Sequence, residues 1–118
     1  MNRQRVSFTT SAGGAATAAF PHSFYGAKLY AVLWTKGTCD AGVDISLATS
    51  GADGSTTVFA DVDANSSIAY YPRVAANATA DASALTWYDL PVLDGILTLT
   101  IAQGGNAKSG SMVVLYED

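Results

Sequence analysis

Short segments that alternate apolar and polar residues recur along the whole chain, and they constrain its fold more than any other feature. Segments 5–10, 43–48 and 96–102 each alternate with a period of two, which is typical of a strand with one buried face. Glycine-rich turns interrupt them, as at Gly13 and Gly14. Strand signals spaced about eight to twelve residues apart predict an all-β sandwich or barrel.

About eight strands can be placed in this way, without a convincing helix: 5–10, 15–20, 28–35, 43–48, 56–62, 67–71, 96–102 and 112–116. We therefore predict an all-β, antiparallel β-sandwich that is jelly-roll-like. A seven-stranded immunoglobulin-like sandwich is the alternative, although it would need a substitute for the core disulfide. Segment 28–35 (KLYAVLWT) is apolar on both faces, so we expect a central strand covered on each side. Segment 75–84 is interpreted as an excursion loop with room for one helical turn.

The length and charge of the chain narrow the range of partners. Its 118 residues predict one domain, 1–118, with residues 1–4 as a candidate flexible N-terminal arm. Only 14% of the residues are charged, the formal net charge is −4, and the six basic residues are scattered. We therefore expect no nucleic-acid binding and, without a long apolar run or signal segment, no membrane association. Many small side chains favour extensive contact with protein partners, because they lose little entropy when covered.

The segment 104–110 (GGNAKSG) resembles a phosphate-binding loop, but its spacing is broken. Ala107 stands where the glycine before the lysine is needed, and the following residues favour a strand rather than the helix that such a loop opens. We interpret the segment as the turn of a hairpin between the last two strands. Asn106 and Lys108 in this loop are candidate partner-binding residues.

Residues that could hold a metal ion or catalyse a reaction are sparse. Segment 61–65 (DVDAN) matches the first ligands of an EF-hand loop, but Ser66 and Pro72 replace the required glycine and glutamate, so we favour a polar turn. His22 and Cys39, single residues of their kinds, are expected to be incidental, with Cys39 a small buried hydrophobe. We predict no cofactor, no metal and no catalytic residues, hence no enzyme.

Aromatic pairs flank the alanine-rich segment on both sides. Tyr, Trp and Arg dominate protein interfaces, so four further residues are candidate partner-binding residues: Tyr71, Arg73, Trp87 and Tyr88. The alternative is that one member of each adjacent aromatic pair points into the sandwich and the other covers its rim. The pattern favours neither interpretation over the other.

Three segments together resemble the small jelly-roll cement, or decoration, proteins of short-tailed bacteriophage capsids. Residues 36–45 (KGTCDAGVDI) are similar to a strand–turn–strand run of that family, although Asp40-Ala41-Gly42 replaces its usual Ala-Asp-Gly. Tyr71-Pro72-Arg73 resembles a mid-chain element, and 92–110 resembles the closing hairpin. These motifs are mainly turn chemistry, so they favour a shared fold more than a shared partner.

The resemblance implies a structural virion protein on the capsid exterior, made in the host cytoplasm. Its expected partner is the major capsid protein, together with a second copy of the chain across a local symmetry axis. A carbohydrate- or receptor-binding module of a fibre or spike, and a head–tail joining protein, are the alternatives.

Overall fold

The computed structural model describes residues 1–51, 54–77 and 80–118, and the side chains of residues 85–87 lie outside that description. The described residues form ten strands and no helix, so the prediction of an all-β antiparallel fold is confirmed. The strands are β1 (Asn2–Thr9), β2 (Ala16–Ala19), β3 (Phe24–Thr35), β4 (Asp44–Gly51), β5 (Gly54–Asp61), β6 (Ile68–Tyr70), β7 (Val74–Asn77), β8 (Ala84–Asp89), β9 (Val92–Ala102) and β10 (Ser109–Glu117).

Eight of these strands form two antiparallel layers that share one corner. The first layer has the order β1-β10-β3-β6, and the second has the order β2-β9-β4-β5. The layers join because the first residues of β3 pair with the first residues of β9, from Phe24↔Gly95 to Lys28↔Val92. The two longest strands thus bend from one layer into the other, as strands do at the corners of β-sandwiches.

The alternating apolar residues meet between the layers. Trp34 and Met112 from the first layer and Leu47 and Leu99 from the second are almost fully buried in one core cluster. Trp34 stacks on Phe8 with ring centroids 5.9 Å apart. The period-two patterns of the sequence therefore identify the inner faces of both layers correctly.

The N-terminal residues belong to the first layer. Asn2, Arg3 and Gln4 pair with Tyr116, Leu115 and Val114 of β10, so they do not form a free arm. Gln4 is buried, and its side-chain amide donates to the Tyr116 hydroxyl and accepts from the His22 backbone N–H. These bonds satisfy a buried amide that would otherwise destabilise the fold.

The segment 104–110 does not turn a hairpin. Strand β9 pairs with β2, β3 and β4, whereas β10 pairs with β1 and β3, so the segment carries the chain from one layer to the other. The loop after β1 crosses beside it, and the two are joined where the Gly104 N–H donates to the Gly14 carbonyl at 2.9 Å. Gly14 has a φ of +83°, and a Cβ there would lie 3.0 Å from the Gly105 nitrogen. The glycines permit close approach of two backbones.

The alanine-rich segment 75–84, predicted as an excursion loop, is partly strand: residues 75–77 belong to β7 and Ala84 begins β8, with residues 80 and 81 in a turn. Strand β7 pairs with β8 in a two-stranded ribbon, with Val74↔Asp89 and Ala75↔Tyr88 in register. Residues 78 and 79 lie outside the described residues. The described residues of this ribbon do not belong to the core cluster. The ribbon therefore has no buried face, and its sequence shows no regular apolar alternation.

Candidate interaction surfaces

The loops at one end of the sandwich are braced against each other. The Lys108 N–H donates to the Thr10 hydroxyl, and the Lys108 carbonyl accepts from the Thr10 N–H, both at 2.8 Å. The Asp40 N–H donates to the Gly104 carbonyl at 2.9 Å. Asn106 is exposed and Lys108 is half-buried. This loop end therefore presents Asn106 and part of Lys108 on a well-braced backbone.

The other predicted contact residues lie near the ribbon. Tyr71 is 66% exposed and Tyr88 is 71% exposed. Arg73 Nη1 donates to the Tyr30 carbonyl at 3.1 Å and to the Pro72 carbonyl, and it thereby ties the base of the ribbon to β3. Trp87, the remaining candidate, lies outside the residues whose side chains are described.

The predicted contact residues therefore form two groups rather than one site. Arg73 is anchored at Tyr30, whereas the loop end begins beyond Thr35, where Ser111 pairs with Thr35. Five residues of strand separate those two points, which corresponds to about 16 Å. A partner would have to cover most of the length of β3 to contact both groups.

The acidic segment 61–65 is a turn whose polar groups bind neighbouring parts of the chain. Asn65 Oδ1 accepts from the Gly42 N–H at 2.6 Å, and Asp44 Oδ1 accepts from the Asp63 N–H at 3.0 Å. Asp61 Oδ2 accepts from the Tyr70 hydroxyl at 2.6 Å. Burial, with the hydrogen bond to Asp61 and its charge, raises the pKa of Tyr70 to about 12. These contacts agree with the polar-turn interpretation.

Cys39 and His22 are the two other residues that were considered for chemistry. Cys39 is 2% exposed, as expected for a small buried hydrophobe, and burial raises the pKa of its thiol. His22 is joined to Gln4 through its backbone N–H. Across the described residues, histidine, cysteine and carboxylate side chains form no group of three or more that could hold a metal ion.

An apolar block covers the outer face of the first layer, and it combines residues from several strands. Leu33 pairs with Val113, and Ala31 pairs with Leu115, so the four side chains are neighbours on one face. Ala31 and Val113 are buried and Leu33 and Leu115 are half-buried, but none of the four belongs to the core cluster between the layers. Segment 28–35 is thus central in its layer, as predicted. No second layer of the described strands packs on its outer side, although Ala31 on that side is buried.

Arginines border this apolar block. Arg3 pairs with Leu115 and Arg5 pairs with Val113, so each row across the sheet ends in an exposed arginine on β1. Arg73, bound to the carbonyl beside Ala31, lies near the opposite margin. All three arginines of the chain thus surround one face. The nearly continuous apolar runs of β3 and β10 were the sequence signal for this surface, but only the register joins them.

The same face becomes polar towards the loop end. The next rows are Ser7–Ser111–Thr35 and Thr9–Ser109. The serines and threonine Ser7, Thr9, Ser109 and Ser111, together with Arg5 and Thr38, line a shallow groove of about 540 Å³. Arg5 Nη2 donates to the Ser111 hydroxyl at 3.2 Å, and the Thr9 and Ser109 hydroxyls are 3.3 Å apart. The groove presents hydroxyl groups beside one cation.

No family model and no curated protein matches this chain. One solved structure, described as the crystal structure of PirA, is similar to it with 11% sequence identity and a TM-score of 0.48. The alignment covers 96% of this chain and 93% of that chain. A likeness this weak carries no argument about function. The described residues contain no helix long and apolar enough to cross a membrane.

Proposed function

We propose that the chain is a structural virion protein that binds the outer surface of a bacteriophage capsid. It stabilises the shell by bridging major capsid protein subunits, and it performs no catalysis. The support from the sequence is the resemblance of residues 36–45, 71–73 and 92–110 to capsid decoration proteins. The observation that carries the binding role is the apolar outer face of the first layer, where Leu33 and Leu115 are partly exposed beside arginines, a combination typical of interfaces.

Bridging stabilises a shell by linkage. A protein that binds two neighbouring subunits at once finds its complete site only in the assembled shell, so its binding free energy adds to the stability of the assembly. This action requires a rigid scaffold with contact groups at its surface and no reactive site. Contacts through Tyr71, Arg73, Tyr88, Asn106 and Lys108, together with pairing of two copies across a local symmetry axis, belong to the same proposal.

A carbohydrate- or receptor-binding role in a fibre or spike is the second candidate. The observation that favours it is the hydroxyl-lined groove beside Arg5, because hydroxyl and guanidinium groups hydrogen-bond the oxygens of a sugar or a carboxylate. Binding of the purified chain on a glycan array, lost in the variant Arg5→Ala, would support this role over the first.

Quantification of the chain in purified particles tests the main proposal. The particles are those of the virus that encodes the chain, and stained gels give its amount relative to the major capsid protein. A ratio close to a simple fraction of the capsid protein supports decoration. A ratio that corresponds to a single ring per particle supports a head–tail joining protein instead, and absence from washed particles contradicts both.

Variants at the two groups of predicted contact residues refine the test. We expect Arg73→Ala or Lys108→Ala to weaken binding to shells without unfolding the domain, because both side chains reach the surface of a braced backbone. Thermal denaturation of each purified variant is the control for folding. If both variants occupy shells as the wild type does, the assignment of contacts to these two residues is wrong.

A further inference from the structure

The outer face of the first layer has the composition of a covered surface. In an antiparallel sheet with one solvated face, the outward residues are usually polar. Here Ala31, Leu33, Val113 and Leu115 are adjacent in the central strands of the layer, and Leu33 also pairs with Ala69 of β6. Two neighbouring rows of the sheet are therefore apolar. One row is Leu115–Ala31, across β10 and β3, and the other is Val113–Leu33–Ala69, across β10, β3 and β6. Ala31 and Val113 are buried within the chain, whereas Leu33 and Leu115 are half-buried and form the accessible part of this face.

Two of the three arginines at its margins bind neutral oxygens within the chain. Arg5 donates to a serine hydroxyl, and Arg73 donates to two backbone carbonyls. In the row beyond Arg3, Lys28 pairs with Glu117, and these two side chains add no net charge. The face is therefore positive, although the whole chain carries a formal net charge of −4.

The charge pattern argues against a second copy as the occupant of this face. Arginines lie at the β1 margin and near the β6 margin. Pairing the face with the same face of another copy therefore places arginine against arginine, whichever margins meet. Like charges that face each other across an interface weaken it, whereas carboxylates form paired hydrogen bonds with arginine.

We propose that this face docks on an acidic surface of the capsid shell in which carboxylates surround an apolar centre. The carboxylates meet Arg3, Arg5 and Arg73, and the apolar centre covers Leu33 and Leu115. The inference rests on the proposed function and adds to it the surface that binds and the chemistry of its partner. The loop end, with Lys108, lies at the far end of β3 and is not the principal contact.

Two opposite charges placed at one position test the chemistry of the partner directly. Leu115→Asp and Leu115→Lys both remove the apolar side chain, but they differ in the sign of the new charge. Binding of each purified variant to particles lacking the chain is measured by co-sedimentation over a range of salt concentrations. We expect Leu115→Asp to bind at least about tenfold more weakly than Leu115→Lys at low salt, with a smaller difference at high salt.

The double variant Arg3→Ala/Arg5→Ala tests the contribution of the arginines on β1 to binding. We expect its binding to weaken by about tenfold and to depend less on salt than that of the wild type. Val62→Asp is the matched control, because Val62 is an exposed apolar residue (72%) in the acidic turn, away from this face. Its binding should equal that of the wild type. Thermal denaturation excludes variants that fail to fold.

The outcomes separate this inference from the proposed function. If wild-type chain binds particles, but Leu115→Asp binds as well as Leu115→Lys, the partner is not acidic and the inference is wrong while the function stands. If Lys108→Ala loses binding and the variants of the sheet face do not, the loop end is the docking surface and the inference again fails. If the wild type does not bind particles at all, the proposed function fails, and the inference fails with it.

Discussion

Three glycine-to-alanine substitutions distinguish two reasons for glycine at position 14, where the two inter-layer loops cross. One reason is a positive φ, and the other is the close approach of a second backbone. Gly14 has a φ of +83°, and a Cβ there would lie 3.0 Å and 3.1 Å from the backbone nitrogens of Gly105 and Gly104. Gly26 has a φ of +72°, but nothing lies within 4 Å of its added Cβ. Gly13, next to Gly14, lies outside the left-handed region, and its nearest neighbour would be 3.9 Å away.

The expected losses of stability follow from these differences. An alanine held at positive φ costs about 1–2 kcal/mol, so Gly26→Ala should lose about that amount of unfolding free energy. Gly14→Ala incurs the same cost and must also displace the backbone that donates to the Gly14 carbonyl at 2.9 Å, which adds about 1 kcal/mol or more. We expect a total of about 2–4 kcal/mol. Gly13→Ala should be neutral or more stable by up to about 1 kcal/mol.

Urea denaturation, followed by tryptophan fluorescence, measures all three variants. A difference of 1 kcal/mol corresponds to a change of roughly 4 °C in Tm for a domain of this size, so thermal denaturation provides a second measurement. If Gly14→Ala is no more destabilised than Gly26→Ala, close approach of the two loops does not matter. If Gly13→Ala loses as much as Gly14→Ala, the reasoning from backbone conformation is also wrong.

The remaining predictions concern groups whose pKa is raised. Because the folded chain raises the pKa of Tyr70 to about 12, it holds this proton more tightly than the unfolded chain, whose tyrosines ionise near pH 10. The stability that the protonated Tyr70 hydroxyl contributes to the fold is complete below about pH 10 and is lost as the pH rises towards 12. Tyr70→Phe should therefore remove the highest-pH step from an absorbance titration of the tyrosines. An unchanged titration would contradict this assignment. The buried Cys39 thiol should react with iodoacetamide at least about tenfold more slowly in the folded chain than in urea, and equal rates would show that the thiol is accessible.

Local chemistry was sufficient to predict most strands and the inner faces of both layers. At β4, Ile45 and Leu47 continue the alternation that begins at Val43 just before the strand, and this pattern is that of a strand with one buried face. The burial of Cys39 also follows from its size and apolar character. The polar turn at 61–65 was predicted because Asp and Asn favour turns. The side-chain bonds that hold it, however, join it to Gly42 and Asp44, which are distant along the chain.

The ribbon could not be predicted in this way. Strands β7 and β8 lie outside the core, so no buried face imposes a period of two on their residues. High alanine content favours helix when nothing else decides. Cross-strand pairing with β8, as at Ala75↔Tyr88, overrides that preference.

The candidate contact residues were likewise predicted only in part by the sequence. Composition alone identified Tyr71, Arg73 and Tyr88, and the structure places Tyr71 and Tyr88 at exposed positions. It does not join these residues to Asn106 and Lys108, because the two groups lie at different levels along β3. The apolar face with Arg3 and Arg5 was missed, because it exists only where β1, β10, β3 and β6 pair in one register.

The sequence by itself determined that this chain forms short strands with one buried face, that several of its glycines lie between those strands, and that few of its residues are charged. Each of these properties depends on residues close together along the chain. Tertiary structure alone decided that segment 104–110 crosses between layers instead of closing a hairpin, and that three arginines surround one apolar face. Both depend on which distant strands pair, and the free energy of that choice comes from contacts between segments many residues apart.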